Sequence, residues 1–376
     1  MTATKLLARF CEIAANPAAQ RDAYLAAGKK VVLTAPVYTP EEVIHSMGLV
    51  PMGAWGADTA LEGAKRYFPA FICSIVQSAV ELGMRGAYRG CSAIVIPSLC
   101  DSLKVMGQNW KYAVPDIPFI PMTYPQNREA PFGRAFTEAG CRRVAEELER
   151  ITGAEYSDEA LTRSIEIYNR HNDAMRRVGR VMAEHGEITA SERSAVYKSA
   201  WFMLKEEHTA LVEELIDALN AQEAAKGGIK LMTSGVLADA PGLLKLLDEN
   251  GIRIVADDVA AESRQYRTDA PDAATPMARI AAKFAAMGNC SVLYDAEKTR
   301  VGMIAAESRA AGADAVLVVQ TKFCDPEEFD YPLIKRACAE AGMPCALIEL
   351  DRQMVNFEQA RTAMETLKAM IEERAI

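Results

Sequence analysis

Apolar positions along the chain follow two patterns. Short runs of aliphatic and β-branched residues, such as Ala93-Ile94-Val95-Ile96, are separated by longer stretches in which apolar residues recur at helical spacing. The first pattern suits buried strands and the second amphipathic helices. It predicts a helix over residues 3–27, a strand over 30–35, and a helix over 40–47 that opens on a Thr39-Pro40-Glu41-Glu42 capping box and stops at Gly48. A strand over 49–55 and helices over 60–67 and 74–88 come next. A strand over 92–97, a helix from Asp101 to about residue 112 and a strand over 118–124 follow. Residues 132–223 are almost wholly helical in pattern, with breaks near Gly153 and Gly186. After a Lys226-Gly227-Gly228 joint the alternation resumes. Strands are expected over 229–233, 253–256, 291–293, 315–319 and 345–350, with helices over 241–249, 276–287, 298–311, 326–341 and 357–373.

Strands alternating with helices in this way predict an α/β fold with mostly parallel sheets. The expected organisation is an N-terminal α/β domain over 1–150, a helical segment over 151–225 and a C-terminal α/β domain over 226–376. The length of 376 residues agrees, being too great for one ordinary core. No short-period repeat is present, and no sequence repeat proves the two halves a pair.

The net charge of -9 argues against general binding to nucleic acid or anionic membranes, which needs clustered Lys and Arg. No apolar run approaches the ~20 residues of a membrane span. The opening stretch from Met1 to Asn16 is amphipathic, with Lys5, Arg9 and Glu12, and lacks the apolar region of a signal peptide. Nine cysteines, an odd number at irregular spacing, then point to a reducing cytoplasm and not to a disulfide framework. There is no C-x-x-C pair, and none of the four histidines is near a cysteine in sequence. Zinc ribbons, thioredoxin-type pairs and His-rich metal sites are therefore not expected.

Position sorts the cysteines. Cys11, Cys141 and Cys338 fall in predicted helices. Cys91, Cys290 and Cys345 fall just before or at the start of predicted strands, the end of a parallel sheet away from the ligand crevice. These six fit the usual behaviour of free cysteine as a small buried hydrophobe. Cys100 and Cys324 instead come after an apolar strand and directly before a helix, each followed by Asp, and Cys73 opens a helix after an aromatic loop. Open α/β sheets hold ligands at the carboxyl ends of their strands, and a helix N-terminus favours a thiolate. If the sheets face each other, these three meet in one cleft between the domains. Three such thiolates suit an iron–sulfur cluster, filling three corners of a four-iron cubane and leaving the fourth iron to another ligand. Separations of 27 and 224 residues match no compact motif, so spacing alone leaves the alternative open that the thiols are merely buried.

Other motifs carry less. No Walker-A loop occurs, and no G-x-G-x-x-G follows a strand. Thr233-Ser234-Gly235 is either a tight turn or a cradle for a phosphate or carboxylate. Asp257-Asp258, with Glu262, Arg264 and Arg267 nearby, either holds a cleft shut by ion pairs or binds a ligand or partner. Trp110 reads as core, while Gln108 and Asn109 are candidates to donate toward the cleft. His45 and His208 read as surface or structural residues.

Six stretches carry a family resemblance: PVYTPEEVIHSMGLVPMGAWG (36–56), YFPAFICSIVQSAVELG (67–83), IVIPSLCDSLKVMGQNWK (94–111), KEEHTALVEELI (205–216), VADDVAAESRQYRTD (255–269) and KFCDPEEFDYPLI (322–334). They resemble the smaller, β subunit of the (R)-2-hydroxyacyl-CoA dehydratases, with benzoyl-CoA reductase subunits as more distant relatives. The resemblance implies a heterodimer of homologous subunits, each with a 4Fe-4S cluster on three cysteines. Carried onto this chain, those are Cys73, Cys100 and Cys324. It further implies a separate ATP-hydrolysing iron–sulfur activator that injects one electron. The substrate thioester is then reduced to a ketyl radical anion that expels the 2-hydroxyl. Loss of a β-proton and return of the electron give the (E)-2-enoyl-CoA. The substrate is expected mainly on the larger subunit, so no catalytic acid or base is assigned to this chain. The alternative is a cluster-free two-domain binding or structural subunit.

Overall fold

A computed structural model of the chain describes residues 1–375. Two four-stranded sheets, each wholly parallel, form its frame. The first contains β1 (Val31–Thr34), β2 (Val50–Gly53), β3 (Ala93–Pro97) and β4 (Phe119–Met122), in the order β2-β1-β3-β4. The second contains β5 (Ile229–Gly235), β6 (Ile252–Val259), β7 (Ala315–Thr321) and β8 (Cys345–Leu350), in the order β6-β5-β7-β8. The α/β expectation holds. The halves also share one strand order, a pairing that no sequence repeat had revealed. In each sheet the first and third strands are neighbours, which puts the reversal of strand order between them. The crevice beyond the carboxyl ends at such a reversal is the usual ligand position.

The central strands explain the continuous apolar runs. Every residue of β1, β3 and β7 is buried, as parallel strands covered by helices on both faces must be. Helices Pro131–Thr152, Asp158–Glu184, Ala190–Ser199 and Lys205–Asn220 make up the helical stretch. Gly153, at φ +70°, ends the first of them. Helix Ala3–Ala15 seals the amphipathic faces of this group, with Leu6, Leu7 and Phe10 packed among Val178, Val212 and Leu215.

Several expectations change. The first predicted helix is two, Ala3–Ala15 and Pro17–Ala26, because Asn16 caps the second and Pro17 opens it. The capping box at Thr39 is not formed. Its hydroxyl turns back to donate to the Ala35 carbonyl at 2.9 Å, and helix Glu41–Ser46 starts without a side-chain cap. Residues 60–67 give only a 3-10 turn, Ala64–Arg66. The long helical stretch has a further break before Lys205, where Trp201 leaves the helix to stack on Trp55 at 4.9 Å and donate to the Ala261 carbonyl. The predicted strand over 291–293 is a turn, since a run of three residues is too short to decide against the side-chain bonds that hold it.

Candidate metal centre

Three helix starts converge on one cavity. Cys73 caps Ser74–Met84, Cys100 caps Asp101–Ala113, and Cys324 caps Asp325–Glu340. The last two sit beyond the carboxyl ends of β3 and β7. All three line a cavity of about 650 Å³. Val37 beyond β1 and Val236 beyond β5 complete the wall, so both sheets present their carboxyl ends to the same space. Leu99, Leu103, Val292, Leu293 and Phe329 make much of the lining apolar. Phe323, at φ +62°, holds the bend that turns the chain from β7 into the Cys324 cap.

The electrostatics of the three thiols are alike. Burial pushes Cys73 up to about 12, while N–H groups of Ile75 and Val76 pull the other way. Burial likewise raises Cys100, opposed by N–H groups of Leu103 and Ser102. Cys324 is driven well above the ordinary thiol range by burial and then by the nearby Cys73, with the Glu327 N–H opposing. Each sulfur therefore stands near backbone N–H groups at a helix N-terminus, without closing a capping hydrogen bond, a setting that welcomes negative charge. Without a cation the apolar surroundings keep the thiols protonated, and with one the helix N-termini favour the thiolates.

The thiols do not gather at one point. Among the described residues no group of three or more His, Cys, Asp and Glu side chains stands close enough to grip a single metal ion. A zinc site, whose ligands crowd one centre, is therefore not formed by these thiols. By the chemistry of the donor set alone, three cysteine thiols at helix N-termini are the kind of ligand an iron–sulfur cluster takes.

The remaining candidates fall away from the cavity. Asn109 donates to the Tyr67 carbonyl and Gln108 accepts from Lys111, so neither reaches it. Trp110 is core, its indole donating to the Ile117 carbonyl at 2.9 Å. Thr233, Ser234 and Gly235 end β5 and form neither a turn nor a cradle. Ser234 is instead bound to Arg300 and Asp258. Asp258, wholly buried, is gripped by Arg264, Arg267 and Arg300, and Glu327 by Arg264 and Arg300. Those carboxylates are internal ion pairs with no free face for a ligand. His208 is structural, buried between His171 and Ser199, and His45 bonds Ser164 at 2.9 Å.

Cys290 is misplaced by the sequence reading. With no strand after it, it lies near the carboxyl end of β1, where Tyr38 donates to its sulfur at 3.1 Å. The next four residues, Ser291 to Tyr294, line the cavity. The sequence offered one signal for this wall, the polar residues Asp295, Glu297 and Lys298 that follow the short apolar run.

A fold of two like parallel sheets with cysteine-capped helices at both carboxyl ends defines a two-sheet α/β protein with a candidate metal cavity. Comparison with known proteins narrows this. The chain belongs to the family described as 2-hydroxyglutaryl-CoA dehydratase, D-component, whose profile matches residues 36–371. It is 47% identical over 340 residues to the (R)-phenyllactyl-CoA dehydratase beta subunit of Clostridium sporogenes, covering 90% of this chain and 91% of that one. It is 40% identical over 371 residues to the lactoyl-CoA dehydratase subunit beta of Anaerotignum propionicum, covering 97% and 98%. Identity to the (R)-2-hydroxyglutaryl-CoA dehydratase subunit beta of Acidaminococcus fermentans is 37% over 373 residues, with the same coverage, 97% and 98%.

Proposed function

We propose that this chain is the iron–sulfur β subunit of an (R)-2-hydroxyacyl-CoA dehydratase. In this reading Cys73, Cys100 and Cys324 hold one 4Fe-4S cluster whose fourth position is open or taken by a ligand other than cysteine. One observation carries it: three helix N-termini deliver three thiols to a single cavity. The relatives' names as dehydratase β subunits support the reaction, (R)-2-hydroxyacyl-CoA to (E)-2-enoyl-CoA, and a larger homologous α partner. When bound, the cluster would supply storage and transfer of one electron.

The chain's own residues bind and shield. Leu99, Leu103 and Val292 keep water from the sulfurs, and the helix starts hold the thiolates in place. The candidate proton carriers near the mouth are committed elsewhere: Lys298 pairs with Asp330 at 2.7 Å and Lys104 with Asp101 at 3.0 Å. The acyl group and its proton transfers are accordingly assigned to the α subunit. The lack of a phosphate loop agrees with a separate ATP-hydrolysing activator as the source of the electron that forms the substrate's ketyl radical anion. The division into residues 1–150, 151–225 and 226–376, and a place in the cytoplasm of an anaerobically growing cell, belong to the same proposal. Among the described residues no helix is long and apolar enough to cross a membrane.

Purification without oxygen tests it. A brown protein with about four irons per chain is the expected result. A colourless, iron-free protein would overturn the reading and favour a cluster-free subunit.

A further inference from the structure

Arg352 stands two residues beyond β8 and is 5% exposed. It touches three parts of the chain. Its peptide N–H donates to the Ser74 hydroxyl at 3.1 Å, and its carbonyl accepts the Thr59 N–H at 2.9 Å. Its Nη1 meets Asp58 at 3.1 Å, while Nη2 lies 2.8 Å from Asp239 as an ion pair off the hydrogen-bonding direction. Asp239 is held on its other oxygen by Lys198, from helix Ala190–Ser199, at 2.7 Å. Asp58, Thr59 and Ser74 belong to the segment that joins β2 to β3, and Asp239 follows β5. Two cations and two carboxylates balance, so the cluster of charges is neutral. The Arg352–Asp239 pair at its centre is nearly dry, while Asp58 and Lys198 reach solvent.

The covalent neighbours give the arrangement its meaning. Ser74 is the residue after Cys73 and the first of its helix. On the other side, β8 pairs with β7 up to Thr321 and Leu350, and the Lys322 N–H donates to the Leu350 carbonyl at 2.9 Å. Cys324 is two residues further on. A short route of bonds therefore runs from Cys324 through Lys322, Leu350 and Arg352 to Ser74 and Cys73.

We propose that Arg352 is a positioning residue for the cysteine cavity, fixing the Cys73 helix start against the end of β8 and so setting the reach between Cys73 and Cys324. A surface ion pair is worth too little to do this, whereas a buried, charge-balanced one is costly to break on one side only. The part of the inference that concerns metal rests on the reading that the three thiols hold a cluster. The part that concerns placement of Cys73 does not.

The test uses the full chain in its metal-free and anaerobically reconstituted forms. In the metal-free form, alkylation of each cysteine by iodoacetamide is followed by mass spectrometry. Arg352→Met should speed the reaction of Cys73 by about fivefold or more through local opening, and leave Cys100 within about twofold. Arg352→Lys should restore part of the protection, since it keeps the charge and loses the planar fork. If Arg352→Met does not fold, Asp58→Ala decides: it removes one arm of the contact, and Cys73 should again react faster relative to Cys100. Unchanged Cys73 reactivity in every folded variant would overturn the proposal. In the reconstituted form the variants should lose iron to a chelator faster than the parent. A parent chain that takes up no iron would defeat the proposed function, and the alkylation result would still decide the role of Arg352.

Discussion

Cys100 and Cys324 hold the same place in two copies of one topology. Each follows the third strand of its sheet after two intervening residues, Ser98-Leu99 in one case and Lys322-Phe323 in the other, and each caps the next helix. The correspondence then breaks. The helix before β3 is capped by Cys73, whereas the helix before β7, Thr299–Ala310, is capped by Lys298. Lys298 also borders the cavity, but its ammonium is paired with Asp330, so one half supplies two thiols and the other one.

Iron retention should follow this geometry. Cys100→Ala and Cys324→Ala should each lose most of the iron bound by the parent chain, because each removes a helix-capping thiol on the cavity. Cys141→Ala and Cys338→Ala, deep in helices Pro131–Thr152 and Asp325–Glu340, should keep it. Iron per chain in anaerobic preparations checks this, and equal retention in all four would refute the ligand set.

The ion-pair network behind the cavity wall should be costly to cut. Arg300 serves Asp258, Glu327 and Asp330 at 2.7, 2.8 and 2.9 Å, and all three carboxylates are essentially without solvent. Arg300→Met leaves buried carboxylates short of a cation and should cost about 3–5 kcal/mol. Urea unfolding of the metal-free chain measures this.

Stability should fall on mild acidification. His208 Nε2 lies 3.1 Å from the Val196 carbonyl and so donates to it, and its Nδ1 must then accept from His171 Nε2. Both rings are neutral in the folded chain. Burial lowers His208 to about 3 and His171 well below its ordinary value. In the unfolded chain they take up protons near pH 6.5. Between about 6.5 and 3 the unfolded state therefore binds more protons, and stability drops by about 1.4 kcal/mol per pH unit for each ring. Asp258 and Asp239 add to this at lower pH. Burial opposes their ionisation, but their arginine and lysine partners hold both to about 2, so their contribution is lost as pH falls from about 4 through 2. His208→Gln should flatten the slope between pH 6.5 and 5 by about one proton, and an unchanged slope would exclude the histidine origin.

Gly235 should not tolerate a side chain. Its φ is +156°, and a Cβ there would come 2.2 Å from the Val319 carbonyl oxygen of β7. Gly235→Ala must push β7, the strand that leads to Cys324, and should destabilise by more than about 1 kcal/mol. Thermal unfolding together with iron content checks both parts.

The strands and most helices were legible because their signals are local. Ile94 to Ile96 and Val316 to Val319 read as buried strands from composition alone, and Gly153 marked its helix end. What failed depended on side-chain partners that the apolar pattern does not show. The hydroxyl of Thr39 prefers the Ala35 carbonyl to the helix it precedes, and Ser291 bonds Glu327 at 2.6 Å, which holds residues 291–293 as a turn. Placing cysteines on the strand pattern picked out Cys73, Cys100 and Cys324, and the structure brings those three to one cavity. Cys290 does not follow that pattern, because residues 291–293 form a turn and not a strand. Arg352 carried no signal at all, its partners at Asp58 and Asp239 being set by how the two sheets meet.

The division of the cavity between two sheets also fixes when it can exist. Cys100 leaves the ribosome 224 residues before Cys324, roughly ten to forty-five seconds at ordinary synthesis rates. Throughout that interval the nascent chain carries two of the three thiols and lacks the wall that shields them. If the three thiols hold a cluster as proposed, loading would come after β7 has emerged and docked.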